Sequence, residues 1–443
     1  MARSSVLLAL LVVAAAAVAA WPYFVANQTA SAVAAGIPTA APVNRDDLTR
    51  DAQVAFWEHA VGQRLPHDVL SPRNLSEQYL QRYRERGDLG DATRALAMAE
   101  REERVAPHSP PADGAMAAAL LVLHRFAEAR AYVRDAERGS APDAPELLTR
   151  EAGLDMELGE YARVAPLLAR IKAADRDISY ETAQARCDEL TGHLAAADSL
   201  LQRATIDYDA HYPEASAQAR AWYHYREGEL AFEGGRMDEA VADERTALGM
   251  FPNLALADNA LARFELARHH WRAALDAATA GANIVPLPET LGYEADAQRA
   301  LGDGAAAAQT QDLIVAIERI GNAYRVNDRL IAIYYSEHGI RLDDALRIAR
   351  REIAVRHDEI YAQDTLAWAA AMDGRWDEAR IAMAHAIRYD TQDARLQFHA
   401  GMIALHFGDR TEARSRLERA LALNPQFHPA YADEARAVLA TLR

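Results

Sequence analysis

The stretch GDRTEARSRLERALALNP, Gly408 to Pro425, decides the fold. Its outline returns with other residues in GRWDEARIAMAHAIRYDT, Gly374 to Thr391, and in GRMDEAVADERTALGMFP, Gly235 to Pro252. Gly374 and Gly408 lie 34 residues apart, and Gly235 and His269 open equivalent turns at the same distance. Small residues recur at fixed offsets around these turns. Gly401 leads to Ala413, Ala420 and Pro425, and Gly228 leads to Ala240, Ala247 and Pro252. The series Ala262, Ala274, Gly281, Pro286 and the series Ala367, Ala379, Ala386, Thr391 keep that spacing. A segment that repeats its outline but not its chemistry builds a framework. Each unit reads as two antiparallel helices whose backbones approach at the small residues. Glycine supplies a turn with positive φ, Asp caps the helix that follows, and Pro or Thr stops it. One such pair cannot bury both its faces, so each must stack on its neighbours.

Composition agrees with an all-α chain. The 443 residues are 51% hydrophobic, much of it Ala, and only 7% aromatic. Ala, Leu, Arg and Glu lose little side-chain entropy in helices. The formal net charge of −17 repels phosphate backbones, and no block of basic residues offsets it. Nucleic acid is therefore not the expected partner. Lys172 is the single lysine and Cys187 the single cysteine. One cysteine excludes an internal disulfide and a cysteine-based metal site, and its apolar helical setting marks a buried structural thiol.

These residues resemble the tetratricopeptide repeat, a helix–turn–helix unit of the same period. The resemblance implies a superhelical solenoid of about ten repeats. We place them near residues 73–106, 110–143, 145–177, 178–211, 221–254, 255–287, 288–321, 326–359, 360–393 and 394–427. Val164 and Ile171 in the third, Ile314 in the seventh, and Ile333 and Glu352 in the eighth stand where small residues are expected. Insertions fall near DYDAHYPEASAQ and RIGNAYRVND. Residues 45–72 read as an N-terminal capping helix region, 73–427 as the solenoid, and 428–443 as a C-terminal capping helix. Packing only between neighbours predicts that damage to one repeat loosens it and the two beside it.

The opening MARSSVLLALLVVAAAAVAAWPYFVANQTASA has one charge, Arg3, before an apolar run from Val6 to Ala26. A basic residue, an apolar stretch and small residues at A-x-A spacing describe a secretory signal, with cuts after Ala19, Ala20 or Ala32. Residues 6–26 are also long enough to cross a bilayer uncleaved. Residues 1–32 are thus a signal peptide or an inner-membrane anchor, and the Ala-rich second half favours cleavage. Residues 33–44, with Pro38 and Pro42, read as a tether. Either way the rest of the chain is expected outside the cytoplasm, in the periplasm or secreted, or anchored in the inner membrane and facing the periplasm.

No catalytic, metal or cofactor constellation emerges. His399 and His406 share a helix face, with His385 one repeat earlier, but no carboxylate joins them at HExxH spacing. Asp207, Asp209 and His211 alternate in what reads as a polar insertion loop. No phosphate-binding glycine loop and no GxSxG is present. By resemblance, the first helices of such repeats line a concave groove. The helical pattern projects Trp222, Tyr225, Glu229, Asn259 and Arg263 into it, followed by Tyr334, Tyr361, Asp364, Trp368, Phe398 and Met402. Family members that grip a carboxylate terminus use a groove lysine, which is absent here. The expected function is a non-enzymatic scaffold that binds another protein or peptide through this aromatic lining. The alternative is a membrane-anchored assembly or secretion factor for an envelope complex.

Overall fold

Alanine and glycine set the distance between helices along most of the chain. The computed structural model describes residues 45–63, 65–139, 145–171, 178–212, 216–321 and 328–442. The apolar segment 6–26, the tether 33–44 and the insertion at 322–327 lie outside these residues. The chain divides into two units, Met1–Thr49 and Arg50–Arg443. Of the first, only residues 45–49 are described, and they are helical. Among the described residues there are 22 helices and no strand. None of these helices is long and apolar enough to cross a membrane.

The second unit is a tetratricopeptide-like solenoid of ten helix pairs. Repeats one to five pair Leu70–Arg86 with Leu89–Val105, Pro110–Val122 with Phe126–Gly139, Pro145–Leu158 with Tyr161–Arg170, Ile178–Leu190 with Leu194–His211, and Ala217–Glu233 with Met237–Met250. Repeats six to ten pair Ala255–Ala267 with Trp271–Ile284, Pro288–Ala300 with Gly304–Gly321, Asp328–Glu337 with Leu342–Ile353, Ile360–Met372 with Trp376–Ala386, and Ala394–His406 with Arg410–Leu423. A helix at Arg45–Gly62 precedes them and one at Tyr431–Thr441 follows.

Within each pair the small residues lie where the backbones cross. Ala240, Ala247, Ala262, Ala274, Ala367, Ala379, Ala386, Ala413 and Ala420 are all fully buried. A Cβ at Gly401 would lie 2.9 Å from Leu417 Cγ, so a larger residue there forces the pair apart. The larger residues at these positions are also inside: Val164, Ile171, Ile314 and Ile333 are buried. Turn glycines such as Gly235, Gly374 and Gly408 have positive φ, and His124 and His269 adopt it in repeats two and six. Asp393 and Asp409 cap the repeat-ten helices, accepting from Leu396 N at 2.9 Å and Glu412 N at 3.0 Å.

Two expectations are corrected. Asp207, Asp209 and His211 sit in the last turns of Leu194–His211, not in a loop, because the helix continues as far as His211. Asp209 there pairs with Arg220 at 2.8 Å. The second correction concerns neighbour-only packing. The superhelix completes a turn and closes on itself, so that the turns inside repeats three, four and five touch the linkers following repeats eight, nine and ten.

This seam has a physical origin in the C-terminal ends of the first helices, whose last carbonyls have no partner within the helix. Side chains from one superhelical turn later satisfy them. Arg356 Nε donates to Glu157 O (2.9 Å), Thr391 Oγ1 to Leu190 O (2.6 Å) and Asn424 Nδ2 to Phe232 O (2.7 Å). Gln392 Nε2 donates to Gly192 O at 2.7 Å, and Ile360 N donates to the Tyr161 hydroxyl at 3.1 Å. The turn glycines allow this approach. A Cβ at Gly159 would stand 2.0 Å from the Asp358 carbonyl carbon, and one at Gly235 would stand 2.6 Å from Leu423 O.

Candidate functional site: a closed channel inside the solenoid

Closure of the seam turns the concave face into a channel. Two wide cavities lead in. One, of about 740 Å³, is mostly apolar and is bounded by Tyr83, Tyr208, Trp222, Leu254, Val285 and Leu287 among others. The other, of about 810 Å³, lies along the first helices of repeats three to five and shares Trp222, Tyr223 and Leu256 with it. This second cavity passes Arg186, Glu189, Tyr225 and Arg226 into a central chamber of about 190 Å³. The chamber opens in turn on an inner recess of about 70 Å³, walled by Phe232, Tyr293, Tyr334, Phe427 and His428.

First helices of repeats four to ten all contribute to the central chamber, because residues at matching repeat positions point to the superhelix axis. Many of their polar groups are joined along it. Glu189 accepts from Arg226 Nη2 at 2.6 Å and also bonds Arg186. Arg263 Nη2 reaches both oxygens of Glu229 at 2.7 Å. Its guanidinium also lies 4.7 Å from the Phe232 ring centre. Glu289 accepts from Asn259 Nδ2 and from the Tyr293 hydroxyl, each at 3.0 Å. Asp296 holds His338 Nε2 at 2.8 Å, while His338 Nδ1 bonds Tyr334 O.

The electrostatics are those of an enclosure. Arg186 keeps 36% of its side-chain surface open. Burial is the largest single influence and acts to lower its pKa; Glu189, Tyr361, Glu157 and Glu233 together outweigh it, and the net shift is upward. Its open surface therefore faces a channel walled by protein, not bulk solvent. Burial, then Glu189 and Asp393, hold the Glu233 carboxyl well above the usual range. The Tyr361 hydroxyl is pushed up by burial, then by Glu233 and Asp393. His428 is pushed well down, first by burial and then by Arg395.

The residues projected from sequence fall into three groups. Tyr225, Glu229, Asn259, Arg263, Tyr361 and Asp364 line the central chamber, and Trp222 stands at the wide mouth. Tyr334 walls the inner recess with its ring largely buried. Trp368 and Phe398 instead lie in the core, and Met402 is half-buried against it. Trp368 is only 6% exposed, stacks on His399 at 4.2 Å between ring centres and donates from Nε1 to the Tyr431 hydroxyl at 3.2 Å. Phe398 stacks on Tyr431 at 4.5 Å. The tight superhelix brings the start of the last helix across these rings, so they are covered by the chain itself.

Sequence reasoning missed Arg186, Arg226, Glu233 and Arg395. The first three occupy axial positions of repeats four and five that the projection passed over, and Arg395 arrives only through closure of the superhelix. The histidines singled out earlier are not brought together. His399 Nδ1 bonds Asp364 Oδ1 at 2.9 Å, His406 stacks on Trp376 at 3.6 Å, and His385 is exposed. Another grouping, Glu103, His108 and Asp113, gathers ligand-type atoms within 4.8 Å of one another. His108 there is exposed, and its own backbone N–H already bonds Glu103 at 3.0 Å. The Cys187 thiol is buried, and burial pushes it up to about 11.

No family model matches the chain, and no curated protein sequence is similar to it. Similar solved structures include the APC/C hetero-tetramer Cut9–Hcn1, at 12% identity and a TM-score of 0.35, covering 89% of this chain and 93% of that one. Yeast Tom70 shows 14% identity, the same two coverages and a TM-score of 0.34. A tetratricopeptide repeat protein from Parabacteroides merdae ATCC 43184 shows 17% identity and a TM-score of 0.33, over 60% of this chain and 98% of that one.

Proposed function

We propose that this chain is a non-enzymatic adaptor of the bacterial cell envelope that holds a segment of another polypeptide inside its solenoid. The observation that carries the reading is the channel itself. Side chains from the first helices of successive repeats converge on one axis, and wide cavities connect that axis to the outside. A row of hydrogen-bonding and aromatic groups at regular intervals suits an extended chain better than a compact metabolite. Most of the arginines are held by acids, so a partner meets an ordered surface and little side-chain entropy is lost on binding.

The N-terminal sequence supports export, and residues 6–26 also support the second reading, a membrane-anchored factor in envelope assembly or secretion. Sequencing the N-terminus of the mature protein separates the two, because anchorage requires the first residues to persist. The adaptor reading is tested by placing a photo-crosslinking amino acid at Tyr225 and irradiating cells. A defined polypeptide crosslinked at Tyr225, and not at the outward-facing Arg245, is the expected result. Identical capture at both positions, or none at Tyr225, overturns it.

A further inference from the structure

The charges in the channel do not balance. The central chamber and inner recess are lined by eight carboxylates and five guanidiniums. Arg263 is matched by Glu229, and Arg395 by Glu337 at 3.3 Å. Arg186 and Arg226 share Glu189. Asp296 and Asp364 are held by His338 and His399, and the fifth guanidinium, Arg329, lies 3.8 Å from Glu359 outside this lining. Three acids are left with neither an arginine nor a histidine hydrogen-bonded to them where the chamber meets the recess. Glu289 has only the neutral donors Asn259 and Tyr293, and Asp393 accepts from the Leu396 backbone. Glu233 has no hydrogen-bond partner among the described residues.

Arg263, Arg395 and Arg226 act on these acids only through space, without a hydrogen bond. Enclosed carboxylates that outnumber their counter-charges are costly, and a cation that enters among them is held strongly. The recess has room for one small head group, and aromatic rings wall it. The chain already stabilises a guanidinium by the same means, since Arg263 lies between Glu229 and the faces of Phe232 and Phe264. We propose that the space between Glu233, Asp393 and Glu289 receives an arginine or lysine side chain carried on an extended polypeptide segment. The ligand chemistry is a guanidinium or alkylammonium ion. The wide, continuous mouth fits a polypeptide as its carrier, and the chain's net charge of −17 attracts a basic one. This deepens the adaptor reading and rests on it.

Binding is coupled to protons. Burial, Glu189 and Asp393 raise the Glu233 carboxyl, and Arg226 and Arg186 act to lower it; Glu289, Arg263, Arg395 and His428 line the recess with it, and Tyr361 lines the chamber. The Glu233 carboxyl holds a proton more readily than a free carboxyl does, and an incoming cation favours the ionised form. Affinity for a basic segment therefore rises with pH until Glu233 is ionised without help.

The test uses the full chain and fluorescent Gly/Ser peptides with one central Arg, Lys, norleucine or Glu, read by anisotropy. Arg and Lys peptides are expected to bind about tenfold tighter than the norleucine peptide, with the preference growing from about pH 6 to about pH 8. Glu233→Gln is expected to erase most of the preference and its pH dependence, with helical content unchanged by circular dichroism. Asp393→Asn keeps the helix cap and serves in its place if the first variant does not fold. Equal binding of Arg and norleucine peptides, or an undiminished preference in the folded variant, overturns the proposal. Binding of agmatine with no competition from the Arg peptide overturns the polypeptide source. In-cell crosslinking at Tyr225 to a partner without basic preference sinks this inference and leaves the adaptor reading standing.

Discussion

Repeats three to five and repeats seven to ten are built on one pattern, yet the same positions do different work in them. Gly159, Gly192 and Gly235 have positive φ, and each also has the backbone of a later linker against it. Gly302, Gly339, Gly374 and Gly408 share the positive φ but have nothing within 4 Å of the place a Cβ would take. The interior differs too. In repeats four and five the axial positions hold Arg186, Tyr225, Arg226 and Glu229 around open space. In repeats nine and ten the corresponding region holds Trp368 and Phe398, which the last helix covers. Repetition thus settles what each unit looks like, whereas the superhelix settles which residues become core, seam or channel.

The largest expected effect tests the interior half of this contrast. Trp368→Ala should destabilise the chain by about 4 kcal/mol, since it removes a buried ring and leaves a cavity among Phe398, His399 and Tyr431. Trp222→Ala, at the mouth of the channel, should cost under about 1 kcal/mol. Urea unfolding of the two variants checks this. Equal losses would mean that the two tryptophans occupy equivalent surroundings, and the division into filled and open ends would fall.

The helix pairs were legible in the sequence because local chemistry writes them. Gly408, Ala413, Ala420 and Pro425 act through their own backbones or through the facing helix, at separations a single repeat contains. The axial positions of Tyr225, Asn259, Arg263 and Tyr361 were legible for the same reason, since helical phase alone turns them inward. What the sequence does not display is the pitch of the superhelix. Small differences at each junction accumulate over several repeats before Asp358 arrives at Gly159, and the angle at which the last helix leaves repeat ten sets Tyr431 on Trp368. That is why Trp368 and Phe398 read as open groove residues, and why Glu233 and Arg395 were not connected.

The turns test the seam half. Gly159→Ala should cost about 3 kcal/mol, combining the strain of an L-residue at positive φ with contact against the Asp358 backbone. Gly374→Ala carries only the φ strain and should cost about 1 kcal/mol. Thermal unfolding under matched conditions measures the difference. If Gly374→Ala proved as damaging as Gly159→Ala, contact across the seam would contribute nothing, and the solenoid would behave as a stack coupled only between neighbours.

The smallest effect isolates one hydrogen bond across the seam. Asn424 is buried, donates to Phe232 O at 2.7 Å and accepts from Gln426 N at 2.8 Å. Asn424→Ala removes this donor and leaves the Phe232 carbonyl with Gly235 N as its remaining partner, at a cost of about 1 kcal/mol. The location of the effect matters more than its size. Asp409→Ala, which removes a cap inside repeat ten, should cost about 1 kcal/mol and speed hydrogen exchange only near Glu412. Asn424→Ala should speed exchange at Gly234, Gly235 and Arg236 as well, distant in sequence but adjacent across the seam. Their backbone N–H groups bond Leu230 O, Phe232 O and Ala231 O, the carbonyls that end this helix. Loosening Phe232 O therefore reaches them directly. If exchange changed around residue 424 and nowhere in repeat five, the bond would be a surface contact, and closure of the superhelix would rest on the remaining seam pairs alone.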